Sequence, residues 1–178
     1  QKIDLNKIKI IHVSASEGLT NYEKLDFVNA CRLGIIMYGF TNYKLLELES
    51  TVKLISEVEQ IHKLNEGDTV GYGGTYKAKI NGEKIAVIPI GYADGIIRKN
   101  KGRYVYINNK RYEIVGNICM DMLFIKVDDD VKLHDKVLIL KDNKHIEEVA
   151  EHLDTIPYEV LCSIGKRVPR IYRRLNLN

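Results

Sequence analysis

The residues best suited to chemistry lie in Glu66-Gly67-Asp68-Thr69-Val70-Gly71-Tyr72-Gly73-Gly74-Thr75-Tyr76, which sets two tyrosines among four glycines. Glycine lets the backbone bend tightly, so a phenol can be held out on a short, stiff loop. A tyrosine serves as a general base only where neighbours pull its pKa well below the free value of about 10, so Tyr72 needs a cation that its own stretch does not supply. The competing reading is a glycine-rich β-turn whose tyrosines complete the core. A second candidate is Asp121, which strand spacing places in an otherwise apolar row with Cys119, Leu123, Ile125 and Val127. Its alternative is a bulge or strand end facing water.

Other chemistries find no support in the pattern. There is no Ser/His/Asp order, P-loop, GxGxxG or HExxH. His12, His62, His134, His145 and His152 are scattered and read as structural or surface residues. Cys31, Cys119 and Cys162 form no CxxC pair, which argues against a disulfide framework or a metal site and for reduced, mostly buried thiols. The net charge of +3 comes from 27 basic residues spread against 24 acidic ones, and only Arg167, Arg170, Arg173 and Arg174 cluster. Eleven tyrosines beside that basic tail would suit a platform for single-stranded nucleic acid, but half-buried strand tyrosines are commoner, and no nucleic-acid partner is expected. No apolar run approaches a membrane span and no signal-peptide pattern opens the chain, so no membrane partner and a cytoplasmic location are expected. Because the chain begins at Gln1, it reads as a piece of something longer or a processed product.

Elements must position these residues. Residues 1–42 read as strand, helix, strand. A β-branched run at 8–13 ends in the small polar residues 14–18, and Thr20 with Glu23 forms a capping box ahead of a helix carrying Leu25 and Val28. The wholly apolar run 33–38 suits a strand covered on both faces in parallel pairing. Two such strands cannot make a stable sheet alone, so this segment should be mobile, cleaved or packed against another copy when isolated. Beyond residue 42 the pattern is antiparallel β. A long stretch at 52–64 leads into the Tyr72 loop. Residues 78–80 and 84–90 flank Asn81-Gly82, a strong hairpin signal, and 104–107 and 111–115 flank the weaker turn Asn108-Asn109. Pro89 belongs at a strand end or edge. A strand at 136–140 is followed by helical spacing at Ile146, Val149, Ala150 and Leu153.

Ile88-Pro89-Ile90-Gly91-Tyr92-Ala93-Asp94-Gly95, Val115-Gly116-Asn117-Ile118-Cys119-Met120-Asp121-Met122 and Arg167-Val168-Pro169-Arg170 stand in order behind Val70-Gly71-Tyr72-Gly73-Gly74-Thr75-Tyr76. In that arrangement the chain resembles alanine racemase, over the C-terminal half of that family's architecture. The resemblance implies a mainly β fold: an antiparallel, barrel-like C-terminal β domain at 43–178, preceded at 1–42 by a βαβ remnant of the last strands of an α/β barrel. It also implies a pyridoxal phosphate enzyme, a homodimer when intact, that interconverts L-alanine and D-alanine by two bases for peptidoglycan supply.

On the same resemblance, Tyr72 is the base contributed across the dimer interface, Met120 and Asp121 place the substrate carboxylate, and Tyr92, Arg98 and Asn117 line the substrate corridor. Arg32 faces the pyridine nitrogen, while Ser16, the backbone of Gly34 and Ile35, and Lys166 hold the phosphate. The strand bearing the cofactor lysine has no counterpart in these residues, so the chain by itself is expected to be inactive. Three positions depart from the family pattern: Ala15 stands for a frequent asparagine, Asn117 for a corridor arginine and Lys166 for a phosphate-contacting tyrosine. Serine racemases of the glycopeptide-resistance type share the motifs, so serine is the alternative substrate. A non-catalytic β interaction module is the alternative function.

Overall fold

The computed structural model describes residues 3–42 and 46–173. Arg174 of the basic tail and the residues just past the expected division at 42 lie outside the described residues. The chain forms two compact units, residues 1–52 and 53–178.

The first unit holds β1 (His12–Ala15), α1 (Ser16–Asn21) and β2 (Ala30–Arg32), with β1 parallel to β2. Residues 8–11 are not strand, and the helix starts at Ser16, inside the stretch expected to be loop. Thr20 does not cap a later helix; its hydroxyl donates back to the Glu17 carbonyl at 3.1 Å, so the turn it was expected to open is already closed behind it. Leu25 and Val28 consequently lie in non-helical chain. The apolar run 33–38 is not a strand either, because Ile35–Tyr38 winds into a 3-10 helix with Ile35 buried and Leu33 and Met37 exposed. An unbroken apolar run carries no period, so strand and helix cannot be told apart from it.

The second unit is antiparallel β with two helices. β3 (Leu54–Glu57), β4 (Gln60–Leu64), β7 (Glu83–Ile88), β8 (Tyr104–Ile107), β9 (Lys110–Val115), β10 (Leu123–Val127) and β11 (Lys136–Leu140) form one sheet in the order β3-β11-β8-β9-β10-β7-β4. A small separate ladder joins β5 (Thr69–Val70) to β6 (Tyr76–Lys77). The two edge strands of the large sheet are consecutive in the chain. A flat sheet with six gaps would be about 29 Å wide, whereas the step from Glu57 to Gln60 reaches at most about 10 Å, so the sheet must curl until its edges nearly meet. Val58 and Glu59 make that junction: Val58 N–H donates to Asp135 O and Glu59 N–H to Val87 O, both at 3.0 Å. The stretch 52–64 is therefore two strands folded about a buried valine. Inside the curl, Ile85, Ile88, Val105, Ile107, Ile114, Leu123, Ile125, Val137 and Ile139 are buried. Each contributes on the order of 1.5–3 kcal/mol of apolar burial.

The weaker turn signal makes the hairpin and the stronger one does not. Asn108 and Asn109 both take positive φ, 49° and 64°, and Ile107 pairs with Lys110 across a two-residue loop. At Asn81-Gly82 the Asn81 side chain instead accepts from Glu66 N–H at 2.8 Å, and Ala78 N–H donates to Asp68 O at 2.8 Å. Residues 78–80 are thereby tied to the Tyr72 stretch and form no strand, and β7 pairs with β4 and β10. Pro89 follows the end of β7, where its missing N–H costs no ladder bond.

α2 (Asn143–Leu153) is capped by Asp142, whose carboxylate accepts from His145 N–H, and buries Ile146, Val149 and Ala150. α3 (Pro157–Ser163) starts with proline at its first turn and packs on α2. Among the described residues no helix is long and apolar enough to cross a membrane.

Candidate active site

The Tyr72 stretch uses its two tyrosines in opposite ways. Tyr76 is half-buried against the cluster of Val70, Ile85 and Val115. Its hydroxyl donates to Glu83 Oε1 at 2.8 Å, and Glu83, with 2% of its side chain exposed, also pairs with Lys126. Burial alone would raise the Glu83 carboxyl, but its hydrogen bonds from Lys126 and Tyr76 hold it below its ordinary value. Burial first, then the bond to Glu83, push the Tyr76 phenol upward. Tyr76 thus completes the core, as the bland reading of the stretch has it.

Tyr72 sits in a 3-10 turn, Tyr72–Gly74, with 79% of its surface exposed, and its phenol bonds no described residue. The loop reaches this shape because Gly71 takes φ 71° and ψ 179°, a region essentially closed to other residues. Asn117 Nδ2 donates to the Tyr72 carbonyl at 2.8 Å, which brings two of the candidate residues together.

The three further motifs interlock, two of them through their backbones and the third through the Arg167 side chain. Tyr92 N–H donates to Cys119 O and Ala93 N–H to Met120 O, both at 3.0 Å. Asp94 is buried; its Oδ2 accepts from Gly91 N–H at 2.9 Å and its carbonyl from Gly165 N–H at 2.8 Å. Arg167 joins the set, donating from Nε to Asp94 Oδ1 at 2.6 Å and from Nη2 to Asp121. The bonds to Asp121 and then Asp94 raise the guanidinium above its ordinary value. Tyr92, Met120 and Asp121 are exposed around this clasp.

Asp121 does not share a strand face with Leu123, Ile125 and Val127: β10 starts only at Leu123, and Asp121 lies exposed in the bend before it. Asp94 and Arg167 are the residues that single-residue reasoning missed as working parts. Their signal was available, since each lies inside one of the long motifs. Arg98, in the 3-10 turn Arg98–Asn100, and Lys166, exposed beside Arg167, bond none of the other candidates among the described residues.

In the first unit, Ser16 opens α1 and is buried, and its Oγ accepts from Gly34 N–H at 2.9 Å. The hydroxyl proton remains to be donated elsewhere. Ile35 begins the next 3-10 turn, whose first N–H groups have no acceptor within the turn. Arg32 Nη1 lies 2.6 Å from His12 Nδ1. Because a guanidinium only donates, that ring nitrogen accepts. A depression of about 600 Å³ in this unit, lined by Val13, Leu19, Tyr22, Leu25 and Val28, holds none of the candidate residues. Among the described residues no group of His, Cys, Asp or Glu could hold a metal ion. Only Cys119 of the three thiols is buried; Cys31 and Cys162 are exposed, against expectation, because they fall on a short strand and helix with an open side.

Comparison with known proteins bears on these positions. A model of the alanine racemase C-terminal domain matches residues 51–172. An alanine racemase of Staphylococcus saprophyticus is 39% identical over 178 residues, covering 94% of this chain and 46% of that protein. The crystal structure of alanine racemase from Bacillus anthracis with bound L-Ala-P superposes with a TM-score of 0.85 at 35% identity, covering 93% of this chain and 45% of that one. The alanine racemase of Bartonella henselae with covalently bound pyridoxal phosphate gives a TM-score of 0.73 at 34% identity, with 80% and 41% covered. The chain spans about half the length of the curated relatives it matches.

Proposed function

The chain belongs to the alanine racemase family through its C-terminal domain, and on that premise we propose that it is the C-terminal part of a pyridoxal phosphate enzyme interconverting L-alanine and D-alanine. The observation that carries the reading is the arrangement around residues 117–121, where Asn117 holds the Tyr72 loop and Cys119, Met120 and Asp121 are locked to Tyr92, Ala93 and Arg167 respectively. A solvent-facing phenol and a set of substrate contacts are thereby fixed from one short segment. The enzyme is proposed to act as a cytoplasmic homodimer supplying D-alanine for peptidoglycan.

The first unit suits the cofactor by its donor set. Ser16 can give its hydroxyl proton to a phosphate oxygen, the turn starting at Ile35 offers backbone N–H groups, and Arg32 already donates to an aromatic ring nitrogen in His12. Residues 1–42 are accordingly proposed as the last strands of the cofactor-bearing barrel. When bound, pyridoxal phosphate supplies a sink for the electron pair left on the α-carbon. A guanidinium at the ring nitrogen stays protonated and cannot readily give a full proton there, which limits the charge collecting on the ring.

The remaining steps belong to side chains. Racemisation removes the α-proton from one face and returns one to the other, so it needs two bases on opposite faces. Tyr72, reaching across the dimer interface, moves the proton on one face, and the cofactor lysine of the family serves the other. Met120 and Asp121 orient the substrate carboxylate so that the α-C–H bond points at the phenol. Arg167 keeps Asp121 in place and neutralises its charge, while Tyr92 and Arg98 bound the corridor by which alanine arrives.

The test is Tyr72→Phe in the holoenzyme, followed as D-alanine formed from L-alanine and the reverse. Loss of the phenolic proton should lower kcat by about 10²–10⁴-fold in both directions. Racemisation of both enantiomers at the parent rate would refute the assignment.

A further inference from the structure

Two close backbone approaches flank the Tyr72 loop. A β-carbon on Gly71 would lie 3.2 Å from the Asn117 carbonyl oxygen, and one on Gly116, which takes φ 68°, would lie 3.0 Å from the Val70 carbonyl oxygen. The backbones of 70–71 and 116–117 are therefore in close contact, with the Phe124 ring, 3.1 Å from such a β-carbon on Gly71, packed beside them. From this contact Asn117 sends its amide to the Tyr72 carbonyl at 2.8 Å. Among the described residues it is the one side-chain hydrogen bond to the backbone of residues 71–74. The loop has little else to stiffen it, since Gly71, Gly73 and Gly74 each leave the chain with wide freedom. Its own internal tie is Gly74 N–H to Gly71 O at 3.2 Å.

We infer that Asn117 is a positioning residue for Tyr72: its side-chain amide fixes the peptide that follows the phenol-bearing α-carbon and so sets where the phenol oxygen sits. The inference rests on the reading of Tyr72 as the base and adds to it a residue that works through the backbone rather than on substrate passage. Two features favour this role over a corridor contact. The amide nitrogen already faces a carbonyl, so it is engaged inward. The group is also neutral, so it orients the loop without adding charge beside the phenol. Asn117 lies three residues before Met120, whose carbonyl is bonded to Ala93 N–H, so base and substrate contacts are referred to the same short segment.

The experiment is Asn117→Ala in the holoenzyme, beside Tyr72→Phe. Because the equilibrium constant of a racemisation is one, kcat/KM must fall equally in both directions, and direction has to be read from α-deuterium isotope effects. A misplaced phenol slows only the transfer it performs. The isotope effect should rise for the enantiomer whose α-proton goes to the phenol and fall for the other, with kcat reduced about 10–100-fold and KM changed less than about threefold. A merely structural role would lower the folded fraction and leave both isotope effects at parent values; that result, or unchanged kcat, would overturn the inference. If Tyr72→Phe abolishes racemisation while Asn117→Ala keeps the parent isotope effects, only the positioning role fails. If Tyr72→Phe racemises normally, the reading of the base fails with it.

Discussion

Replacing Gly91 by alanine tests whether the motifs at 91–95 and 117–121 are joined by backbone contact. Gly91 has φ −149° and ψ −157°, extended backbone that alanine adopts without strain, so conformation alone predicts tolerance. Space predicts the opposite. A β-carbon there would lie 2.3 Å from Cys119 O and 2.4 Å from Met120 O, whereas such carbon–oxygen contacts settle near 3.3 Å. Relief requires a shift of about 1 Å, and both oxygens are held: Cys119 O accepts from Tyr92 N–H and Met120 O from Ala93 N–H, each at 3.0 Å. A shift of that size takes both bonds past useful length. Two hydrogen bonds at about 1 kcal/mol each, with about 1–3 kcal/mol for overpacking, give a loss of about 4 kcal/mol. For a chain of this size that is a fall in Tm of about 8–16 °C.

The matched control is Gly102→Ala. Its φ is +86° but the nearest atom to a β-carbon is His152 Cε1 at 4.0 Å, so only left-handed strain of about 1–2 kcal/mol is expected. Thermal melts by circular dichroism and urea titrations with unchanged m-values would measure both. A Gly91→Ala protein melting within about 3 °C of the parent, or no lower than Gly102→Ala, would show that the two motifs are not in contact as described.

The other expectations concern one group in each unit. Glu83 has a folded pKa below its ordinary 4.5, so its network stabilises the fold above that value and the contribution disappears as pH falls through the lowered folded pKa. The urea midpoint of the parent should therefore exceed that of Glu83→Gln by a constant amount near neutral pH, with the gap closing below about pH 4.5; a gap that persists at low pH would contradict this. In the holoenzyme, Ser16→Ala removes a hydroxyl donor proposed for the phosphate and should weaken pyridoxal phosphate retention about tenfold, read as the dissociation constant from cofactor absorbance. Unchanged retention would remove Ser16 from the phosphate grip.

Legibility differed between the two units. In the second, the alternation of Leu123, Ile125 and Val127, the spacing of Ile146, Val149 and Ala150, and the Asn108-Asn109 turn each appear in the structure as the local rules imply. These features depend on neighbours a few residues away, which the sequence contains. Asn81-Gly82 turns the chain but makes no hairpin, because its asparagine is bonded to Glu66, fifteen residues distant in the chain, and residues 78–80 form no strand. The run 33–38 failed because it carries no period to read.

The order and identity of the four motifs, and through them the family, were settled by the sequence alone, since a string of residue types in register needs no coordinates. What the residues do to one another was decided by the tertiary structure. That Tyr76 faces the core while Tyr72 faces solvent depends on packing that brings Val70 of the small ladder together with Ile85 and Val115 of the large sheet. That Asp94, Asp121 and Arg167 form one unit depends on bringing Asp94 and Arg167, 73 positions apart in the chain, into contact. Hydrogen bonds and steric exclusion act over a few ångströms, and only the closed chain says which residues come within that range.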